Sequence, residues 1–113
     1  MHKCREIVWA TYPFTSHEKS KKRPVLISAI NSHGDFICLP LTSSEVKYSF
    51  KLKSDDLDTK VDLKLIRIIT TSCISFEHPM TLDKSHFQDK AITKLTELAY
   101  KSVMENFYKF NCN

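Results

Sequence analysis

Glycine is nearly absent from this sequence, and so are the motifs of several enzyme classes. The 113 residues include one glycine, Gly34, which argues against the glycine-rich loops that cradle nucleotide phosphates. The motifs of serine hydrolases and cysteine proteases are missing as well. No apolar run approaches the about 18 residues of a membrane span, and the start lacks the apolar core of a signal peptide. We therefore expect a soluble, cytoplasmic protein that needs no cofactor.

Metal-ligand patterns are also lacking. The four cysteines are widely spaced and form no zinc-binding pair: Cys4, Cys38, Cys73 and Cys112. Cys38 and Cys73 lie in apolar runs, where a free cysteine behaves as a small buried hydrophobe. The carboxylates between positions 55 and 58 could ligate Ca²⁺ or Mg²⁺, but the EF-hand pattern is missing. A solvated acidic loop is the simpler interpretation, and we expect reduced thiols and no metal.

Length and patterning predict one small, mainly β domain over residues 1–113. β-Branched and aromatic content indicates strands at 5–14 and 63–76, the latter as one long strand or two shorter ones. Clean alternation indicates a further strand at 47–52, with lysines on its outer face. Apolar residues at helical spacing indicate a helix over 91–110, capped by Asp89. We therefore predict an antiparallel barrel or half-barrel closed by a C-terminal helix.

The segment from Lys19 to Ser44 organises this prediction. It starts with a basic cluster, Lys19, Lys21, Lys22 and Arg23, followed by the apolar runs VLISAI and FICLPL. The NSHGD between the runs reads as a turn, and Pro40 should keep the second strand from being central along its whole length or else mark a bulge. A hairpin would bring Arg23 and the hydroxyl cluster Thr42, Ser43 and Ser44 to the same end of the sheet. Such an arrangement suits holding and attacking a phosphate.

Each candidate residue has a plain structural alternative. The fork of donors on Arg23 matches phosphate oxygens two at a time, but basic runs are usually solvated. The Thr42 hydroxyl could donate to a phosphate oxygen, or it could cap a turn. His17 and His33 titrate nearest neutrality, but both lie in predicted turns with no second histidine at a useful spacing.

Four stretches of the sequence resemble, in order and spacing, the PemK/MazF toxins of bacterial toxin–antitoxin systems. The most specific parts are the Arg-Pro before one apolar strand and the Pro-x-Thr-Ser after the next. The match runs from about Glu6 to about Asp89 and comprises EIVWATYPFT, KKRPVLIS, ICLPLTSS and TLDKS. Where the family usually has a glycine before the first strand, this chain has Arg5.

This resemblance implies a small SH3-like barrel that forms a homodimer and cleaves single-stranded RNA without a metal. It implies catalytic positions for Arg23 and Thr42, with Ser43 in the same motif, and Glu18 as the acidic residue of the loop before Arg-Pro. It also implies a cognate antitoxin with an acidic disordered segment. Residues expected to track or stack on RNA are Lys19, Lys21, Lys22, Lys47, Lys51, Lys53, Tyr12, Phe14 and Tyr48. The alternatives are a related barrel toxin that poisons DNA gyrase without nuclease activity, and a basic module that only binds single strands.

Overall fold

The computed structural model describes residues 2–12, 21–44, 46–58 and 63–112. These residues form one antiparallel sheet in the order β4-β5-β3-β2-β1-β7, with β6 pairing with β3. The sheet curls into a half-barrel, which confirms the predicted mainly β fold with a C-terminal helix. The strands β1 to β7 are Glu6–Tyr12, Lys21–Ile30, Phe36–Thr42, Ser49–Lys51, Cys73–Ser75, Met80–Leu82 and Thr93–Lys94, and the helices α1 and α2 are Leu63–Thr70 and Glu97–Cys112.

Strands β2 and β3 form the predicted hairpin at the centre of the sheet. The turn is closed by the Asn31 amide, which donates to the Asp35 carbonyl oxygen at 2.9 Å. Gly34 has a φ of 82°, a conformation that glycine adopts without steric cost. Along the ladder, Val25 lies opposite Pro40.

Pro40 lies where the outer neighbour of β3 changes. On that side, β3 pairs with β6 through Phe36–Cys38 and with β5 through Leu41 and Thr42. Pro40 lies between the two ladders, where its missing N–H breaks neither of them. Strand β3 is therefore central in the sheet through most of its length, with a break in its outer pairing at Leu39 and Pro40.

Apolar clusters cover both faces of the sheet. Ile7, Leu26 and Leu39 are fully buried in one cluster, against Val103 of α2. Residues one position along the strands, such as Val8 and Val25, belong to a second cluster together with Phe36 and Cys38. Burial on both faces explains why the hairpin runs lack alternation.

The prediction of strand over the whole of 63–76 is wrong in its first half, because residues Leu63–Thr70 form helix α1. The prediction rested on the isoleucines, whose strand preference tertiary packing readily overrides. Hydroxyl side chains also stabilise the end of the helix. Thr70, Thr71 and Ser72 donate to the carbonyls of Ile66, Arg67 and Ile68 at 2.6–2.7 Å, and the Arg67 carbonyl also accepts from the Thr71 amide.

The C-terminal helix starts later than predicted. Residues Thr93–Lys94 form β7 and pair with β1, and α2 begins at Glu97. The cap is Thr96, whose Oγ1 accepts from the Ala99 amide at 3.1 Å, so the prediction of Asp89 as the cap is wrong. Leu98, in the first turn of α2, is 77% exposed. No helix of the described residues is long and apolar enough to cross a membrane.

Strand β4 is shorter than predicted, and it is an edge strand of the sheet. It covers Ser49–Lys51 and pairs with β5 alone among the described strands. Leu52 is buried, whereas Tyr48, which the alternation places on the same face of the strand, is 42% exposed. Lys47, Lys51 and Lys53 are exposed, in line with a basic outer stripe.

Arg5 connects four parts of the fold from a strained backbone position. Its φ of 78° lies in the left-handed region, which costs a non-glycine residue about 1–2 kcal/mol. Its amide donates to the Ile27 carbonyl, and its guanidinium donates to the Leu95 carbonyl at 3.1 Å. The guanidinium also contacts carboxylates of Asp58 and Glu97 at 3.2 and 3.3 Å.

We expect Arg5→Ala to destabilise the protein more than Arg5→Gly does. Both variants lose the hydrogen bond from the charged guanidinium to the buried Leu95 carbonyl, worth about 2 kcal/mol, but glycine also relieves the backbone strain. Urea unfolding should place the alanine variant about 2 kcal/mol below the wild type and the glycine variant about 1 kcal/mol above the alanine variant. Glu97→Ala is the control and should change little, because its ion pair is exposed. A glycine variant that is no more stable than the alanine variant would contradict the inference that the backbone of Arg5 is strained.

Candidate active site

A cavity of about 320 Å³ opens at the end of the β2–β3 hairpin away from its turn. Strands β1, β2 and β3 supply most of its wall, and the end of α1 supplies the rest. The lining residues are Trp9, Arg23, Pro24, Leu41, Thr42, Ser43, Ser44, Ile68 and Ser72. No acidic side chain lines the part of the cavity formed by the described residues, so its charge comes from the arginine.

Strand register places Arg23 and Thr42 beside each other. Arg23 lies opposite Ala10 on β1. On the other side, Val25 lies opposite Pro40, and two further residues along each strand bring Arg23 level with Thr42. Both side chains are half-buried and line the same cavity. The hairpin therefore brings a guanidinium and a hydroxyl to one rim, as the sequence predicted.

The Thr42 hydroxyl also caps the turn that follows β3. Its Oγ1 accepts a hydrogen bond from the Ser44 amide at 3.2 Å. The hydroxyl acts as acceptor in this contact, so its own hydrogen can still be donated to a ligand. The turn-capping interpretation is therefore correct, and it is compatible with a role at the cavity.

The segment that follows helix α1 contributes a hydroxyl that sequence reasoning missed. Ser72 lines the cavity although it lies about thirty residues beyond Thr42 in the chain. The Ser72 hydroxyl donates to the Ile68 carbonyl at 2.6 Å, so its oxygen can still accept a hydrogen bond from another group. Sequence signals could not place it here, because residues 63–70 read as a strand.

Trp9 is the second residue that the sequence did not single out. It is half-buried, lines the cavity and lies opposite Pro24. The Lys22 ammonium lies 5.2 Å from the centroid of the Trp9 ring, within the range of a cation–π contact. One of the cations expected to contact RNA thus lies next to this cavity.

The other expected site residues lie elsewhere or outside the described residues. His33 is exposed in the hairpin turn, at the opposite end of the hairpin from Arg23. For Tyr12 and Lys21 the backbone is described, and both belong to the β1–β2 ladder. Phe14, His17, Glu18 and Lys19 lie outside the described residues.

Lys47 and Tyr48 line a second cavity, of about 360 Å³. It lies between the start of β4 and the end of α2, where Lys109 and Phe110 contribute to it. The Tyr48 and Phe110 ring centroids are 5.0 Å apart, and the Lys47 ammonium lies 5.2 Å from the Tyr48 ring centroid. Lys47 therefore does not line the cavity of Arg23, and the structure separates it from the other candidate residues.

Neither the cysteines nor a metal-ligand cluster is placed at the site. Cys38 is fully buried and Cys73 nearly so, as expected from their apolar runs. Burial raises the pKa of the Cys38 thiol to about 12, because the thiolate is poorly solvated there. Among the described residues, no group of three histidine, cysteine, aspartate or glutamate side chains could hold a metal ion.

Comparison with known proteins gives one family match. A family model described as "PemK-like, MazF-like toxin of type II toxin-antitoxin system" matches residues 3–110. A search of curated proteins finds no match.

Alkylation should show that Cys38 is chemically inert in the folded protein. A pKa raised from 9.0 to about 12 lowers the thiolate fraction at pH 8 by about a thousandfold. With iodoacetamide at pH 8, mass spectrometry should detect label on half-buried Cys4 long before Cys38. In urea, the two should react alike. Equal labelling rates in the native protein would show that Cys38 is not buried as described.

Proposed function

Because the chain belongs to the PemK/MazF family of type II toxins, we propose that it is an endoribonuclease that cleaves single-stranded RNA without a metal ion. The observation that carries this proposal is that Arg23 and Thr42 line one open cavity with no carboxylate among its described residues. A guanidinium and a hydroxyl are both hydrogen-bond donors that match phosphoryl oxygens. The cavity is thus suited to an anionic ligand, and the phosphodiester of RNA fits this description.

In the proposed reaction, the ribose 2′-hydroxyl loses its proton and its oxygen attacks the adjacent phosphorus. The bond from phosphorus to the 5′-oxygen breaks, and that oxygen takes up a proton. The products are a 2′,3′-cyclic phosphate and a 5′-hydroxyl. DNA would bind but would not be cleaved, because it lacks the 2′-hydroxyl.

Arg23 and Thr42 would act on the negative charge that develops on the phosphoryl oxygens. Donors fixed in advance stabilise such a transition state without the cost of reorganisation. The Ser44 amide orients the Thr42 oxygen, and the cyclic ring of Pro24 restrains the backbone next to Arg23. Arginine stays protonated at neutral pH, so its role is charge stabilisation rather than proton transfer. Ser43, exposed on the same rim, would add a further donor, and Lys22 would contact the RNA backbone.

The family implies an antitoxin partner. We propose that its neutralising segment is acidic and extended and binds at the second cavity. Lys47 and Lys109 supply positive charge there, and Tyr48 and Phe110 supply apolar surface. The neighbouring β4 is an edge strand of the described sheet, and such an edge can accept a peptide as an added strand. We propose further that the toxin acts as a homodimer in the cytoplasm.

Cleavage of labelled single-stranded RNA in EDTA tests the nuclease directly. We expect fragments with cyclic phosphate ends, and Arg23→Ala or Thr42→Val should each lower the rate about 10²–10³-fold. Thr42→Ser keeps the hydroxyl and should retain most of the activity. Arg67→Ala is the matched control, because it removes an exposed arginine of α1 that does not line the cavity.

Other outcomes of this assay would favour the rival functions. RNA that stays intact while supercoiling by gyrase stops would indicate a gyrase poison. Retention of RNA without cleavage would indicate a single-strand-binding module. Full activity of the Arg23→Ala variant would remove the arginine from the mechanism, and so would unchanged growth arrest in cells that express it.

Charge reversal at the second cavity tests the antitoxin proposal. The double variant Lys47→Glu, Lys109→Glu should weaken binding of a peptide that carries the antitoxin's acidic segment by at least about tenfold, equivalent to about 1.4 kcal/mol. Isothermal titration calorimetry measures this affinity, and Lys101→Glu on the exposed face of α2 is the control. RNA cleavage should stay near wild type. Unchanged peptide affinity would show that the antitoxin binds elsewhere. A loss of RNA affinity would show that Lys47 contributes to RNA binding.

A further inference from the structure

The cavity of Arg23 and Thr42 has an apolar side as well as a polar rim. Its apolar surface comes from four residues, Trp9, Pro24, Leu41 and Ile68. Pro24 and Leu41 are buried, whereas Trp9 is half-buried and Ile68 is 42% exposed. An isoleucine this exposed on α1, lining the same cavity as a half-buried tryptophan, leaves apolar surface uncovered there.

A nucleotide has the same division of polarity. Its base offers flat apolar faces, and its phosphate carries the charge. Trp9 and Arg23 lie on neighbouring strands, opposite Pro24 and Ala10 respectively, and both line this one cavity of about 320 Å³. A base attached to a phosphate at Arg23 and Thr42 would therefore lie within reach of the indole.

We propose that Trp9 is the stacking platform for the base next to the scissile phosphate, with Ile68 as the apolar wall contributed by α1. This inference rests on the proposed cleavage of RNA and adds a base-binding subsite to it. Stacking on an aromatic side chain accepts any base, because every base has a π-face. The subsite therefore holds the substrate in place, and hydrogen bonds elsewhere would choose the sequence.

Lys22 occupies part of this platform in the structure. Its ammonium lies 5.2 Å from the indole centroid, and the lysine is exposed on a flexible stem. Base stacking is worth more than an exposed cation–π contact. A base that reaches the indole displaces Lys22, whose charge then becomes available to an RNA phosphate.

The chain contains one tryptophan, so its fluorescence reports on this subsite directly. The probe is a single-stranded 2′-O-methyl RNA 12-mer of mixed sequence, which cannot react because it lacks free 2′-hydroxyls. A 12-mer with the same backbone and no bases is the control. We expect the first to quench the indole fluorescence and the second to bind without quenching.

A substitution series gives a second, independent readout. Trp9→Ala should raise KM for RNA cleavage about tenfold with a smaller change in kcat, while Trp9→Phe keeps a ring and stays near wild type. Tyr108→Ala, which removes an exposed aromatic side chain from α2, is the matched control. An abasic nucleotide beside the cleaved phosphate should raise KM for the wild type and leave KM of Trp9→Ala unchanged. This comparison holds even where the alanine variant is partly unfolded, because both substrates meet the same enzyme.

The outcomes separate this subsite from the proposed nuclease. Cleavage of RNA without quenching, or an equal abasic penalty in wild type and Trp9→Ala, overturns the subsite and leaves the nuclease standing. Quenching by the 12-mer without cleavage of ordinary RNA supports the subsite as a binding site and overturns the nuclease. The absence of both quenching and cleavage overturns the two together.

Discussion

The antiparallel register of β2 and β3 is the constraint on which the candidate site depends. Arg23 and Thr42 share a rim because they lie at matching positions of two paired strands. A slip by one residue would turn every side chain of one strand to the other face. Such a slip is costly here, because Leu26 and Leu39 are fully buried opposite each other and their neighbours are buried on the other face. The two apolar clusters thus fix the geometry of a polar site that contributes little to the core.

A second constraint lies at the start of β1, where the chain departs from the family pattern. Arg5 stands where the resemblance to the family leads us to expect glycine, and it has the left-handed backbone that suits glycine. The guanidinium offsets this strain with a hydrogen bond to a buried carbonyl and with two ion pairs that reach the loop after β4 and the start of α2. The exposed ion pairs add little, so the hydrogen bond to Leu95 provides most of the compensation. An arginine at this position therefore holds the left-handed turn through its side-chain hydrogen bond, and the half-barrel still forms.

The sequence predicted the fold where one local signal dominated. The hairpin has a turn with glycine between two apolar runs, and the tertiary structure agrees with that signal. Residues 63–70 carry conflicting signals, because isoleucines favour strands while the lysine, arginine and leucines around them favour helices. Whether these residues form a helix or a strand depends on packing and on the hydrogen bonds that the hydroxyls of Thr70, Thr71 and Ser72 donate at the end of the helix. The start of α2 is hard to predict for a similar reason, since Ile92 and Leu95 pack in the same core as the helix but lie before it, Ile92 just before β7 and Leu95 in an isolated bridge to Leu57.

The candidate site was predictable only as far as it is built from neighbouring strands. A hairpin brings its two ends together whatever the rest of the chain does, so the pairing of Arg23 with Thr42 followed from the turn between them. Ser72 enters the cavity through the docking of α1, which no local pattern reveals. The Thr42 hydroxyl can cap the turn and contact a ligand at once, because it accepts from the Ser44 amide and keeps its own hydrogen. A hydroxyl that is held as an acceptor from one side is oriented as a donor on the other, and this is how a turn cap at a strand end becomes a preorganised contact for a phosphate.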